Sequence, residues 1–97
     1  MVRLTFVIPA RNEEAFLGGL LDSIGAELDG HDVRYEVHVA DNGSTDDTRS
    51  VAEGRGAQVF DCSGLNIGAA RNRAACRAAP GLVVFLDADM LLRPGWW

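Results

Sequence analysis

Asp87 and Asp89, two residues apart, follow directly on the apolar run Leu82-Val83-Val84-Phe85-Leu86. Along extended chain, alternate side chains point to one side, so both carboxylates can reach a single cation. Negative charge beside an apolar run is costly unless a metal ion or an arginine compensates it. Read by itself, the pair could equally end a strand or cap the next helix. Three further polar clusters, each after its own strand-like run, change that weighting: Pro9-Ala10-Arg11-Asn12-Glu13, Asp41-Asn42-Gly43-Ser44-Thr45-Asp46, and Gly64-Leu65-Asn66-Ile67-Gly68 with Arg71. Together they supply Glu13, Asp41, Asp87 and Asp89 as acids and Arg11, Arg71 and Arg73 as cations. So acidic an edge repels a bare phosphate. It accepts one that arrives with Mg²⁺ or Mn²⁺, which are commonly held by one or two carboxylates plus phosphate oxygens. Arg71 falls in the first turn of a predicted helix, where the helix dipole also favours an anion. A diphosphate bridged to Asp89 through metal and to Arg71 directly satisfies both signs. The remaining acids can accept hydrogen bonds from neutral groups such as a ribose hydroxyl or a base N–H.

The elements that must position these residues alternate along the chain. Leu4 to Ile8 reads as a strand closed by Pro9, and Asn12 is placed to cap a helix starting near Glu13. Phe16, Leu17, Leu20, Leu21, Ile24 and Leu28 keep helical spacing. Tyr35, Val37 and Val39 mark a second strand, and Ser44 with Asp47 three residues on resembles a capping box opening a second helix. That helix is expected to end around Gly54 to Gly56. Ala57 to Cys62 gives a third strand, Gly68 to Ala79 an alanine-rich helix stopped by Pro80, and Leu82 to Leu86 a fourth strand. The order β-α-β-α-β-α-β predicts an α/β fold, an open and mainly parallel four-stranded sheet with helices on both faces. All four polar clusters then fall beyond the carboxyl ends of the strands, where such sheets bind ligands.

Composition narrows the classes. Ninety-seven residues, 47% of them hydrophobic, fit one globular domain over 1–97. A net charge of −5 with no basic run argues against nucleic acid as a partner. No apolar stretch approaches a membrane span, and Met1-Val2-Arg3 opens no signal-peptide pattern. Cys62 and Cys76 make neither a metal-ligand spacing nor a disulfide framework, so a cytoplasmic chain with reduced thiols is expected. His31 and His38 lack ligand partners at useful spacing and are expected to be structural or on the surface. Cys76 is expected to pack among alanines, and Arg73 with Arg77 to form a solvated face. Asp46 and Asp47 read as helix-start acids, and Gly43 and Gly68 as turn or close-approach glycines.

The segments VIPARNEE, ADNGSTDDT, GLNIGAARNRA and FLDAD, in this order and spacing, resemble the N-terminal half of a family 2 glycosyltransferase of GT-A fold. The resemblance runs from about Val2 to Trp97. It implies a nucleotide-diphosphate sugar as substrate, with a UDP-sugar as the leading expectation, and transfer to an unspecified acceptor hydroxyl, usually with inversion. By position, Pro9, Ala10, Arg11 and Glu13 match the first nucleotide-contacting loop, and Gly68 is counted with the substrate-binding residues as a place of close backbone approach. Asp41 matches the acid that typically reads the base, and Arg71 the arginine beside nucleotide and phosphates. Asp87 matches the acid near ribose and metal, and Asp89 the principal metal ligand, for Mn²⁺ or Mg²⁺. Asn42 departs from the second acid that many members carry there.

No candidate general base follows Asp89, and Trp96 and Trp97 have little chain left to cover them. The sequence is therefore read as the donor-binding half of a larger, hexosyltransferase-like enzyme, with the full-length protein's membrane association left open. Alone, the 97-residue chain is expected to be inactive and to self-associate through its open face. A dinucleotide-dependent dehydrogenase and a P-loop nucleotidase lack their glycine signatures here. A sugar-nucleotide nucleotidyltransferase and a non-catalytic nucleotide-binding or interaction module stay as alternatives.

Overall fold

A computed structural model describes residues 2–97. Its elements run β1 (Val2–Ala10), α1 (Glu14–Leu28), β2 (Val33–Asp41), α2 (Thr48–Gly54), β3 (Gln58–Asp61), α3 (Ile67–Ala75) and β4 (Leu82–Phe85). The strands form one sheet in the order β3-β2-β1-β4, and every pairing is parallel. The chain steps outward from β1 to β3, then returns across α3 to place β4 on the other side of β1. That reversal makes the gap between β1 and β4 the topological switch point of the sheet.

Parallel strands covered on both faces read as continuous apolar runs, and β1 does. Leu4, Phe6 and Ile8 join the core beneath α1, together with Leu17, Leu20, Ile24 and Leu28 of that helix and Ala52 of α2. Val7, on the opposite face, packs with Ala40, Cys62, Ala70 and Ala74. The alanines of α3 let that helix lie close against the sheet. The two cores are the predicted helices on both faces.

Several local expectations need correction. Helix α3 ends at Ala75 rather than Ala79, and Cys76 is exposed instead of packed among alanines. Asn12 does not cap α1. It has φ 53 and sits outside the helix, whose N-cap position is Glu13 without a side-chain hydrogen bond. Ser44 opens no capping box either, because α2 begins at Thr48 behind Asp47. The segment after β4 folds back along α1. The Leu92 N–H donates to Ser23 Oγ at 2.9 Å and the Gly95 N–H to Glu27 Oε1 at 3.0 Å. The Trp96 ring lies 5.7 Å from that of buried Phe6, so this tryptophan covers core, although 42% of it stays exposed. β4 is an edge strand that leaves Leu82 and Phe85 open.

Gly81 fixes where β4 enters the sheet. Its φ is +150°, and an added Cβ would stand 2.6 Å from the Arg3 carbonyl oxygen, inside any tolerable contact. Gly81→Ala must therefore push β4 away from β1, and we expect it to cost at least about 1–3 kcal/mol, read as a lowered urea midpoint. An unchanged midpoint would show that β4 can shift without loss.

Candidate active site

The carboxyl ends of β1 and β4 and the start of α3 enclose a crevice of about 360 Å³ at the switch point. Pro9, Ala10, Arg11 and Glu13 line it from β1 and the loop after it. Asp87, Ala88 and Asp89 line it from the end of β4, while Asn42, Ile67 and Ala70 close the remaining side. Six of the nine residues singled out from sequence thus share one wall or another of the same space. Asp41, Gly68 and Arg71 stand just outside it.

The acid pair reaches the crevice by a different geometry from the one expected. The strand ends at Phe85, and Asp87 to Met90 form a turn closed by the Met90 N–H on the Asp87 carbonyl at 3.1 Å. Leu86 and Ala88 are buried in the core under α1, which turns Asp87 and Asp89 outward on either side of Ala88. Both carboxylates still face one space. Among the described residues, no group of three His, Cys, Asp or Glu side chains gathers to hold a metal. The donor set fits Mg²⁺ or Mn²⁺, which accept one or two carboxylates when water and phosphate oxygens complete the shell. It does not fit an ion that needs a full protein cage.

Asp87 already has a cation. Arg71 Nη2 lies 3.5 Å from Asp87 Oδ1, and the Arg71 guanidinium carbon stands 5.8 Å from the centre of the Phe85 ring. Asp41 ends β2 almost fully buried, and its Oδ1 accepts from the Ser44 N–H at 3.3 Å. Gly68 lies within the first turn of α3, where an added Cβ would make only ordinary contact with Asn66 Oδ1 at 3.5 Å. Its conformation does not require glycine. Gly43, with φ +70, does occupy the left-handed region. Asn66 caps α3 by accepting from the Ala69 N–H at 2.8 Å. Arg73 is not merely solvated, because it donates to the Asp61 carbonyl at 2.7 Å. His38 is a buried core residue, its Nδ1 3.0 Å from the Ala74 carbonyl oxygen.

The sequence reading missed how the loops are fastened. The Asn12 N–H donates to Ser44 Oγ at 3.0 Å, and Asn12 Oδ1 accepts from the Thr45 N–H at 2.8 Å. The Glu13 N–H donates to Thr48 Oγ1 at 2.8 Å, and the Glu14 N–H reaches Asp46 Oδ2 at 3.4 Å. The N–H groups of Glu13 and Glu14, at the start of α1, are thus engaged by the segment after β2. Asn42 extends the tie to the loop after β3, donating from Nδ2 to the Leu65 carbonyl at 2.9 Å and accepting from the Gly64 N–H at 3.1 Å. A carboxylate could only accept, so the amide at this position has a structural reason. The signal in sequence was the density of short polar side chains in Asn42 to Thr48, whose partners lie about thirty residues away and leave no periodicity.

Residues 5–97 match the sequence profile of Glycosyl transferase family 2, and the chain belongs to that family. It is 39% identical over 93 residues to the 4,4'-diaponeurosporenoate glycosyltransferase of Staphylococcus aureus, an alignment spanning 90% of this chain and 24% of that protein. The fold superposes on the mannosyl-3-phosphoglycerate synthase of Rubrobacter xylanophilus with a TM-score of 0.84 at 30% identity, covering 96% of this chain and 33% of that one. It also matches the glucosyl-3-phosphoglycerate synthase of Mycobacterium tuberculosis, solved in complex with Mn²⁺, UDP and glucosyl-3-phosphoglycerate. There the TM-score is 0.68 and the identity 36%, over 90% of this chain and 33% of that one. The chain thus has the GT-A fold and spans about a quarter of the length of the curated relative it matches.

Thr48 and Asp46 are the joint of the loop clasp. Thr48 is fully buried, and its hydroxyl donates to Asp46 Oδ1 while accepting from Glu13. Thr48→Val leaves the part-buried Glu13 N–H without its acceptor and is expected to cost about 1–3 kcal/mol by urea denaturation; a cost near zero would show that the clasp is replaceable. The Thr48 hydroxyl also holds the Asp46 carboxyl below its usual value, helped by backbone N–H groups and opposed by partial burial. A carboxyl with a depressed folded pKa contributes stability above its unfolded value, and loses it as pH falls through the folded one. Acid should therefore loosen the clasp below about pH 4, the ordinary carboxylate range. Lower protection factors at Glu13 and Glu14, with the intrinsic pH dependence of exchange divided out, would report it, whereas unchanged protection factors down to pH 3 would contradict it.

Proposed function

We propose that this crevice binds the nucleoside diphosphate of a sugar donor, and that the protein to which it belongs transfers the sugar to an acceptor hydroxyl. The observation that carries the reading is the convergence of Arg11, Glu13, Asp87 and Asp89 on one crevice at the switch point of a GT-A sheet. Membership of the family and the UDP and Mn²⁺ in a relative's complex support it. Asp41, buried at the end of β2, is assigned to an N–H of the base, and Asp87 to the ribose and metal. Asp89 is assigned as the main ligand of Mn²⁺ or Mg²⁺, and Arg71 to the diphosphate. The metal would neutralise charge on the diphosphate as it departs.

In the transfer, the acceptor oxygen bonds to the anomeric carbon while the bond from that carbon to the phosphate oxygen breaks. The hydroxyl proton passes to a base. Attack opposite the leaving group inverts the anomeric centre. The residues of this crevice account for the donor; none is assigned as the base. UDP is the nucleotide we assign, on the strength of the relative's complex.

Calorimetry with UDP tests the reading. UDP should bind in Mn²⁺ and lose at least about tenfold in affinity in EDTA, since one or two carboxylates hold such metals together with phosphate oxygens. Asp89→Ala should abolish the metal-dependent part while circular dichroism stays unchanged. Equal binding in EDTA, or full binding by the Asp89 variant, would sink the metal bridge.

A further inference from the structure

Resting on that reading, we propose that Arg71 is a built-in counter-ion that makes metal binding and diphosphate binding depend on one another. Three observations carry it. The guanidinium pairs with Asp87, one of the two carboxylates available to an ion, at 3.5 Å. It is held beside the crevice over the Phe85 ring, and it does not line the crevice, where α3 presents Ile67 and Ala70. Its Nε is buried with no hydrogen-bond partner among the described residues, so the contact to Asp87 is a single strand of attachment rather than a bidentate lock.

The consequence follows from charge. Arg71 already compensates Asp87, so a divalent ion arriving alone must compete with a cation for that carboxylate. Asp89 has no ion-pair partner among the described residues, and no group of three His, Cys, Asp or Glu side chains gathers among them to hold the ion. A diphosphate changes both sides of this balance. It adds oxygens to the metal's shell, and it offers Arg71 a second anion with geometry suited to a guanidinium. The side chain is 37% exposed and only loosely fastened, so moving its head group from Asp87 to a phosphate breaks no buried network. Arg71 thereby discourages a futile metal-only state and yields Asp87 when nucleotide and metal arrive together. It is thus a donor-binding residue that also governs how available Asp87 is to the ion.

Mn²⁺ binding, read from the loss of the free-ion electron paramagnetic resonance signal, tests this in the full chain without any turnover. In the wild type, saturating UDP should tighten Mn²⁺ by about 5- to 150-fold, the usual range for coupled sites. Arg71→Met keeps length and removes charge. It should bind Mn²⁺ alone more tightly than the wild type, and its gain from UDP should shrink at least about fivefold. Arg71→Lys, which keeps the charge, should restore part of the gain, and it also guards against a fold defect in the first variant. Weaker Mn²⁺ binding by both variants without UDP would overturn the proposal, since Arg71 would then serve only to orient Asp87. An undiminished UDP effect in Arg71→Met would also overturn it while leaving the donor site standing. Failure of the wild type to bind UDP with Mn²⁺ would remove the donor-site reading itself and this coupling with it.

Discussion

The rest of the structure depends on the reversal of strand order at β1. A chain that adds β2 and β3 on one side of β1 and β4 on the other must send its connections to opposite faces of the sheet. Helices α1 and α2 cover one face and α3 the other, while the segment after β4 turns back along α1, and the crevice lies where the ends of β1 and β4 meet the start of α3. Every residue assigned to the donor lies in or beside that gap. The sheet supplies rigidity: β1 is buried on both faces, and its nine-residue register with β2 ties the two carboxyl ends together. What the loops carry can then be chosen for chemistry.

The choice is unusual in sign. Asp87 and Asp89 are placed within one crevice with Glu13, opposed by Arg11 inside and Arg71 outside. Such an edge is a poor site for an anion alone and an incomplete one for a metal alone, and the proposed function has it take the two together. The clasp between the loops after β1 and β2 engages the N–H groups of Asn12, Glu13 and Glu14 and fixes the two loops to each other.

Fold and site location were legible because both rest on repeating patterns. Strand runs such as Leu4 to Ile8 and the helical spacing from Leu17 to Leu28 report burial directly, and four polar clusters at the ends of four strands must share an edge once the strands are parallel. Boundaries and caps were less legible. Asn12 and Ser44 have the residue types of helix caps, yet each spends its side chain on the other's loop. Propensity describes what a side chain does for its own neighbours, and here long-range partners won. The same holds for Arg73, whose partner is a carbonyl at the end of β3, and for Asp87, whose partner Arg71 lies on a different element. Short-range pattern cannot report contacts of that kind.

The central claim is that Asp87 and Asp89 hold a divalent ion that bridges to a nucleoside diphosphate. Anomalous diffraction from crystals grown with UDP and Mn²⁺ tests it most directly. A manganese peak within about 2.0–2.4 Å of Asp89, with diphosphate oxygens in its shell, is the result predicted. UDP bound in the crevice with no manganese near either aspartate would contradict the account.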